Sequence, residues 1–156
     1  MQGGTHLVAG LAVGLGIARW QGISDPVDVS LIVTAASVSA LAPDWLQVNV
    51  PGLNKTIKGA FGHRGFSHWM LTVYAVWWAV GAFQPAASAS VPLALSAAAG
   101  WLSHIVLDAF NSPGVPAFWP LPWRLKLAHI KSGGSVDQAV AWLCGAAVMW
   151  GVLGLA

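Results

Sequence analysis

Residues 63–83 read HRGFSHWMLTVYAVWWAVGAF, a short polar stretch followed directly by an apolar run. The polar part holds two imidazoles and a guanidinium, from His63, Arg64 and His68. The apolar part is long enough to form most of a membrane-spanning helix. Because polar groups are costly to place near hydrocarbon, a concentration of them at such a point usually has a function. The stretch therefore predicts a functional site at one end of a membrane helix.

The composition of the whole chain is typical of an integral membrane protein. Of its 156 residues, 56% are hydrophobic and 8% are charged, with a mean hydropathy of +0.67. In soluble proteins, charged residues make up about a quarter of the chain. We therefore predict an all-α, polytopic helical bundle with about five transmembrane helices, which forms a single domain over residues 1–156.

Five apolar runs indicate where the spans lie, at residues 7–20, 27–46, 66–83, 91–110 and 136–155. Gly10 and Gly14 place small residues on one face of the first span. Such a face permits close approach of another helix, either within the chain or in an oligomer. Thr5 is a candidate N-cap for this first helix.

Basic residues orient the predicted helices. Six of the seven Lys and Arg residues lie in the loops 48–65 and 115–134, which five spans place on the same side as the N-terminus. The positive-inside rule makes this side cytoplasmic. We expect a multi-pass membrane protein, with membrane lipids as its partners. The net charge of +2 is too small and too scattered to indicate nucleic acid.

This topology brings six potential metal ligands to the cytoplasmic face: His6, Asp44, His63, His68, His104 and Asp108. His104 and Asp108 are four residues apart and so share a helix face, which Asn111 continues. His63 and His68 can face one point only if the chain bends between them, as glycine permits. Imidazoles with carboxylates suit Zn²⁺, with Mn²⁺ as the alternative, as one or two ions.

Five motifs follow one another along the chain: Gly4-Thr5-His6, Leu41-Ala42-Pro43-Asp44, the hexapeptide 63–68, His104 to Asp108 with Asn111, and residues 114–120. Together they resemble the YdjM-like family of membrane-bound metal-dependent hydrolases, over roughly four-fifths of the chain. The resemblance implies a small helical inner-membrane protein with a histidine and aspartate metal site and hydrolase activity. One position departs from the family pattern, because Leu46 stands where relatives often have a second acidic residue. That departure favours one metal ion over two.

We expect Zn²⁺ to be held by His68, His104 and Asp108, with His63 or His6 completing the site or binding a second ion. The metal would activate a water molecule for hydrolysis. Asp44 is a candidate ligand, a general base or a partner that orients an imidazole. Arg64 is a candidate for stabilising negative charge, or else an arginine that anchors the interface.

The expected depth of the site indicates the substrate class. A site at the level of the lipid headgroups suits a phospholipid or another amphiphilic phosphoester. Candidate substrate-binding residues are Arg64, Asn111 and Trp119, although Asn111 also suits a helix end and Trp119 an interfacial aromatic belt. His129 is expected to be an ordinary loop histidine.

A rival hypothesis is a non-catalytic membrane protein with a structural metal site. A structural site is closed, whereas a catalytic site keeps an open position, and the sequence does not separate the two. A transporter is disfavoured, because its polar residues would continue through the bilayer. A third hypothesis is a protein that keeps this fold but has lost its activity, which the apolar Leu46 at a position that is often acidic in relatives would explain.

Overall fold

The computed structural model describes residues 1–46, 65–85, 91–119, 121 and 123–154. These ranges contain five α-helices: α1 (Gly3–Trp20), α2 (Pro26–Trp45), α3 (Met70–Phe83), α4 (Leu93–Ala109) and α5 (Ser135–Leu153). A short 3₁₀ helix, Phe66–His68, precedes α3. The described ranges contain two isolated β-bridges and no β-strand. The predicted all-α class is confirmed.

The helices differ in whether they can cross a membrane. By length and composition, α2 and α5 are long and apolar enough to do so. The apolar helices α3 and α4 have 14 and 17 residues. At 1.5 Å per residue they are about 21 and 26 Å long, against about 30 Å for the hydrocarbon core. A bundle of five spans is not confirmed by these lengths and remains a prediction.

The start of α3 differs from the predicted continuous helix at residues 66–83. Trp69 has an extended backbone, with φ −84° and ψ 145°, and separates the 3₁₀ helix from α3. The amide of Met70 donates to the carbonyl of Ala117 at 2.8 Å, outside the helix. Because this amide is bonded to a distant loop, the α-helix begins at Met70. His68 therefore lies in a separate turn.

The N-terminal helix also begins earlier than expected. Its N-cap is Gln2, so Thr5 lies inside the helix and the predicted cap at Thr5 is wrong. The hydroxyl of Thr5 instead donates to Asp137 at 2.6 Å. This bond ties the beginning of α1 to the beginning of α5.

Small residues let α2 pack closely between α1 and α4. A methyl group added at Gly14 of α1 would lie 2.6 Å from the Cα of Val33, and one at Gly10 would lie 2.8 Å from the Cα of Ser37. On the other side, a methyl group at Gly100 of α4 would lie 2.1 Å from the carbonyl oxygen of Ala36. The small-residue face of α1 thus packs within the chain, against α2.

The segment after α4 folds back over the end of that helix. The amides of Leu127 and Ile130 donate to the carbonyls of Ala109 and Phe110 at 2.8 and 2.9 Å. Val115 exchanges two backbone hydrogen bonds with Leu125. A buried apolar cluster joins this segment to α4: Trp101, Ile105, Ala109, Val115 and Ala117. The loop is therefore part of the packed structure around the end of α4.

We predict that Gly14→Ala lowers the stability of the protein, because the added methyl group meets the backbone of α2. Overpacking of this kind costs about 1–3 kcal/mol. Gly16→Ala is the matched control: it lies in the same helix, and an added methyl group finds nothing within 4 Å. Thermal unfolding in detergent micelles should give a lower Tm for Gly14→Ala and an unchanged or higher Tm for Gly16→Ala. Equal Tm values would contradict the close packing of α1 on α2.

Candidate metal centre

Four side chains from three separate segments meet at one end of the helices. They are Asp44 at the end of α2, His68 in the 3₁₀ helix, and His104 and Asp108 near the end of α4. Each offers one ligand atom, and these atoms all lie within 4.8 Å of one another. We call this group the four-residue cluster. It unites four of the six metal ligands expected from the sequence.

His104 is held in one tautomer by the backbone of α2. Its Nδ1 lies 2.7 Å from the carbonyl oxygen of Ala40. Because a carbonyl oxygen only accepts hydrogen bonds, Nδ1 carries the proton, and in the neutral ring Nε2 presents its lone pair. Nε2 lies 3.2 Å from His68 Nε2 and 3.5 Å from Asp44 Oδ1. The ring thus directs a metal-binding nitrogen into the cluster.

His68 is positioned by the 3₁₀ helix, which is itself anchored to α4. The indole of Trp101 donates to the carbonyl of Ser67 at 2.8 Å, and the hydroxyl of Ser67 lies 3.0 Å from His68 Nδ1. His68 Nε2 lies 3.5 Å from Asp108 Oδ2. The imidazole is fully buried, and this burial lowers the pKa of His68. The neutral ring, which is the form that binds metals, is favoured.

Asp108 is buried and bonded through both of its oxygens. Oδ2 faces His68, whereas Oδ1 accepts a hydrogen bond from the side-chain amide of Asn111 at 2.9 Å. Oδ1 also accepts a hydrogen bond from the amino group of Met1. As their spacing of four residues predicts, Asp108 and His104 face the same cluster.

His6 lies beside the four-residue cluster. Its ring is fully buried and stacks on that of His104, with centroids 3.9 Å apart and an interplanar angle of 18°. Its Nε2 is 3.3 Å from Asp108 Oδ1. Within the described part of the chain, its Nδ1 has no hydrogen-bond partner. A buried imidazole nitrogen without such a partner has donor or acceptor capacity available for a ligand.

The donor set and its spacing fit a metal ion. Donor atoms on a tetrahedral zinc ion, at bond lengths of about 2.0–2.1 Å, are separated by about 3.3 Å. Three neighbouring donor pairs in the cluster are separated by 3.2, 3.5 and 3.5 Å. Two imidazole nitrogens with two carboxylate oxygens also suit zinc, with manganese as an alternative. The residues present therefore could hold one such ion without a large rearrangement.

The remaining predicted site residues have different outcomes. His63 and Arg64 lie outside the described residues. Trp119 is about half exposed and stacks on Trp69, with ring centroids 4.0 Å apart. Leu46 follows the end of α2 and is exposed. His129 is exposed in the loop, as expected.

Sequence reasoning missed Asp137, which supports the site from α5. This carboxylate is buried and accepts hydrogen bonds from the backbone amides of Gln2 and Gly133 and from the hydroxyl of Thr5. It therefore fixes the first turn of α1, which carries His6. The available signal was an acidic residue in the first turn of an otherwise apolar helix, in a chain with only five acidic residues.

Fold and cluster together define an all-helical protein with a buried histidine and aspartate group that could hold a metal ion. The family model described as "YdjM inner membrane protein" matches residues 1–156. The chain therefore belongs to the YdjM family, as its motifs predict.

Individual relatives agree with this assignment. YvsG of Bacillus subtilis (strain 168) is 30% identical over 147 residues, which cover 90% of this chain and 87% of the relative. The proteins named "Inner membrane protein YdjM" of Escherichia coli (strain K12) and Shigella flexneri are each 33% identical over 135 residues. These matches cover 78% of this chain and 65% of the relatives, slightly less than two thirds of their length. No solved structure gives a significant match.

We predict that Asp137→Ala destabilises the protein, because it leaves three donors at the start of α1 and α5 without their acceptor. Each buried donor left unsatisfied costs about 1–3 kcal/mol. Asp28→Ala is the matched control, since Asp28 also lies in the first turn of a helix and is only partly buried. Thermal unfolding in micelles should show a clearly lower Tm for Asp137→Ala than for Asp28→Ala. Similar Tm values for the two variants would show that Asp137 does not anchor α1.

Proposed function

We propose that this protein is a membrane-embedded, metal-dependent hydrolase of a phosphoester, with phospholipid-like amphiphiles included among its substrates. The observation that supports it most is the convergence of two imidazoles and two carboxylates within 4.8 Å, in a chain with five acidic residues and five histidines. Three of the four side chains are buried. Buried polar groups in such a chain are costly unless they serve a function.

In the proposed arrangement, five helices cross the bacterial inner membrane. Two helices are long and apolar enough to cross it, and relatives are named inner membrane proteins. Large apolar side chains are exposed along α3 and α5: Leu71, Tyr74, Trp78, Trp142, Leu143 and Trp150. A lipid environment accounts for such exposure, which is unusual on a soluble monomer. The shorter helices would then span with local thinning of the bilayer or with polar ends at the interface.

The proposed orientation has the N-terminus and the four-residue cluster on the cytoplasmic side. Arg124, Lys126 and Lys131 lie in the loop between α4 and α5, next to the helix end that carries Asp108. Arg19 lies at the opposite end of α1 from His6. Cytoplasmic loops carry the excess of basic residues.

In the proposed site, His68, His104 and Asp108 would hold one Zn²⁺ or Mn²⁺ ion, which leaves a position open for water beside Asp44. When bound, such an ion polarises a phosphoryl oxygen and lowers the pKa of water. His6 would orient the carboxylate of Asp108, or assist a second ion together with His63.

Asp44 is the residue we assign to proton transfer. Its side chain is 31% exposed, whereas those of His104 and Asp108 are at most 3% exposed, so Asp44 is the one of these three that extends from the cluster toward water. The water oxygen bonds to phosphorus as the bond from phosphorus to the leaving oxygen breaks. Asp44 accepts the proton from the water and returns it to the leaving oxygen, which departs as an alcohol. Arg64 would stabilise the negative charge on the phosphoryl group.

A structural metal site is the second candidate, and it has one observation in its favour. His68, His104 and Asp108 are almost completely buried, as the ligands of a closed structural site are. The partial exposure of the Asp44 side chain favours the catalytic alternative, because one residue of the cluster is in contact with the surroundings. Both candidate functions predict that the purified protein contains a metal ion. Only the catalytic one predicts that it hydrolyses a phosphoester.

We predict about one zinc ion per chain in the purified wild-type protein and almost none in the double variant His68→Ala, Asp108→Ala. Each of these two substitutions removes one metal-binding side chain from the cluster. His129→Ala is the matched control, since this histidine is exposed in a loop, and it should retain the metal. Inductively coupled plasma mass spectrometry of protein purified in detergent measures the content. Equal metal content in wild type and double variant would refute the site.

Hydrolysis separates the catalytic from the structural candidate. With zinc supplied in excess, the wild type should cleave bis(4-nitrophenyl) phosphate or a component of a bacterial lipid extract, followed by absorbance and by mass spectrometry. Asp44→Asn should lower the rate by about 100-fold or more, as expected for loss of a general base. A wild-type protein that is loaded with metal and cleaves neither material would favour the structural site.

Topology has a separate test. A five-span arrangement with a cytoplasmic N-terminus predicts that the C-terminus lies on the opposite side of the inner membrane. Alkaline phosphatase, which is active only in the periplasm, should therefore be active when fused after α5, whereas a green fluorescent protein fused there should not fluoresce. The same pair fused within the loop between α4 and α5 should give the reverse pattern. Fluorescence from the C-terminal fusion would contradict the five-span arrangement.

A further inference from the structure

A second polar feature lies next to the four-residue cluster. A cavity of about 570 Å³ opens between the end of α4 and the loop that folds back over it. Its lining consists of Asn111, Ser112, Pro113, Arg124, Ile130, Lys131 and Ser132. This volume is within the range of small-molecule sites, about 300–1,000 Å³. We call it the loop cavity.

Asn111 connects the loop cavity to the cluster. Its side chain is buried, with 2% of the residue exposed, and its amide nitrogen donates to Asp108 Oδ1 at 2.9 Å. Because a carboxylate oxygen only accepts, this bond fixes which end of the amide faces Asp108. The other end, Oδ1, has no hydrogen-bond partner within the described part of the chain. A buried acceptor in this position needs a donor, which water or a ligand in the cavity can supply.

Two cations line the same cavity. Arg124 donates to the carbonyls of Pro113 and Gly114, both at 2.8 Å. These bonds use two of its five N–H groups and hold the guanidinium in place, so that three donors remain. Lys131 is exposed and, among the described residues, forms no ion pair. Among the described residues that line the cavity, none is acidic.

We propose that the loop cavity binds a phosphate ester that carries a hydroxyl or ammonium donor. The phosphate would bond to Arg124 and Lys131, since guanidinium and ammonium groups match phosphate oxygens. The donor of the ligand would bond to Asn111 Oδ1. The inference rests on the proposed function in one respect: it takes this ligand to be the substrate, held beside Asp108. A lipid headgroup and a soluble phosphoester share this chemistry.

Binding to the full chain in detergent micelles tests the proposal by isothermal titration calorimetry at low salt. The probes are glycerol 3-phosphate, lysophosphatidylglycerol added to the micelles, and inorganic phosphate. Binding of either ester supports the site, and the preferred ester identifies a soluble or a lipid source. If neither ester binds the wild type, the proposal is overturned.

Matched variants locate the binding. Lys131→Gln should weaken the binding of the preferred ester about tenfold, the effect of one charge-assisted hydrogen bond. Lys126→Gln removes the same charge from the same loop, outside the cavity lining, and should leave the affinity unchanged. Equal weakening by both would overturn the proposal in favour of general attraction to a basic loop. Arg124→Gln should also weaken binding. Because it removes two hydrogen bonds within the loop as well, Lys131→Gln is the cleaner test.

Asn111→Ala tests the polar end of the cavity. It should weaken the binding of the ester and leave the affinity for inorganic phosphate unchanged. Only the ester carries a hydroxyl group beyond its phosphate that can donate a hydrogen bond to Asn111 Oδ1. Equal weakening of both would contradict the assigned role. Titration of the wild type after a chelator has removed metal keeps this test separate from the proposed function: none of the four residues of the cluster is among the described residues that line the cavity, so binding there should remain. A metal-loaded wild type that binds the ester but does not hydrolyse it would refute only the proposed function.

Discussion

The buried carboxylate of Asp108 is the constraint on which the rest of the structure depends. An ionised carboxylate removed from water is strongly destabilising unless other groups satisfy it. Here the partners come from separate parts of the chain: the amino group of Met1, the imidazoles of His6 and His68, and the amide of Asn111. Since the N-terminal segment with α1 contributes two of these partners, and the 3₁₀ helix and the loop after α4 contribute one each, all three must be in place for the carboxylate to be buried. The formation of the site therefore depends on the packing of the helices.

Close packing of the helices makes these contacts possible. His104 reaches the carbonyl of Ala40 because α4 approaches α2 at Gly100, where even a methyl group would meet the backbone. His6 reaches the ring of His104 because α1 lies equally close to α2, at Gly10 and Gly14. Larger residues at these glycines would move the helices apart and lengthen the distances between donors. The small residues thus determine the geometry of the cluster, although none of them is part of it.

The sequence predicts contacts that follow from local spacing better than contacts between residues far apart in the chain. The spacing of His104 and Asp108 and the alternating directions of the helices were enough to bring Asp44 and His68 to the same end. The break at Trp69 could not be predicted, because it depends on a bond between Met70 and Ala117, which are 47 positions apart in the sequence. The anchoring of α1 by Asp137 depends on an even longer separation. Similarly, no local pattern distinguishes a histidine in the cluster from one stacked beside it, as His6 is.

Charge balance bears on how many ions the proposed site would hold. Asp44 and Asp108 together carry two negative charges and the amino group of Met1 carries one positive charge, so a single divalent cation already outweighs the negative charge of the site. A second divalent ion would add two positive charges in surroundings of low dielectric constant, where uncompensated charge is expensive. An acidic residue at position 46 would compensate part of this charge, but Leu46 is apolar and exposed at the end of α2. The three imidazoles at the site are neutral when they bind a metal and do not change the balance. For the proposed function, these charges favour a single ion, with His6 orienting Asp108 through the contact at 3.3 Å.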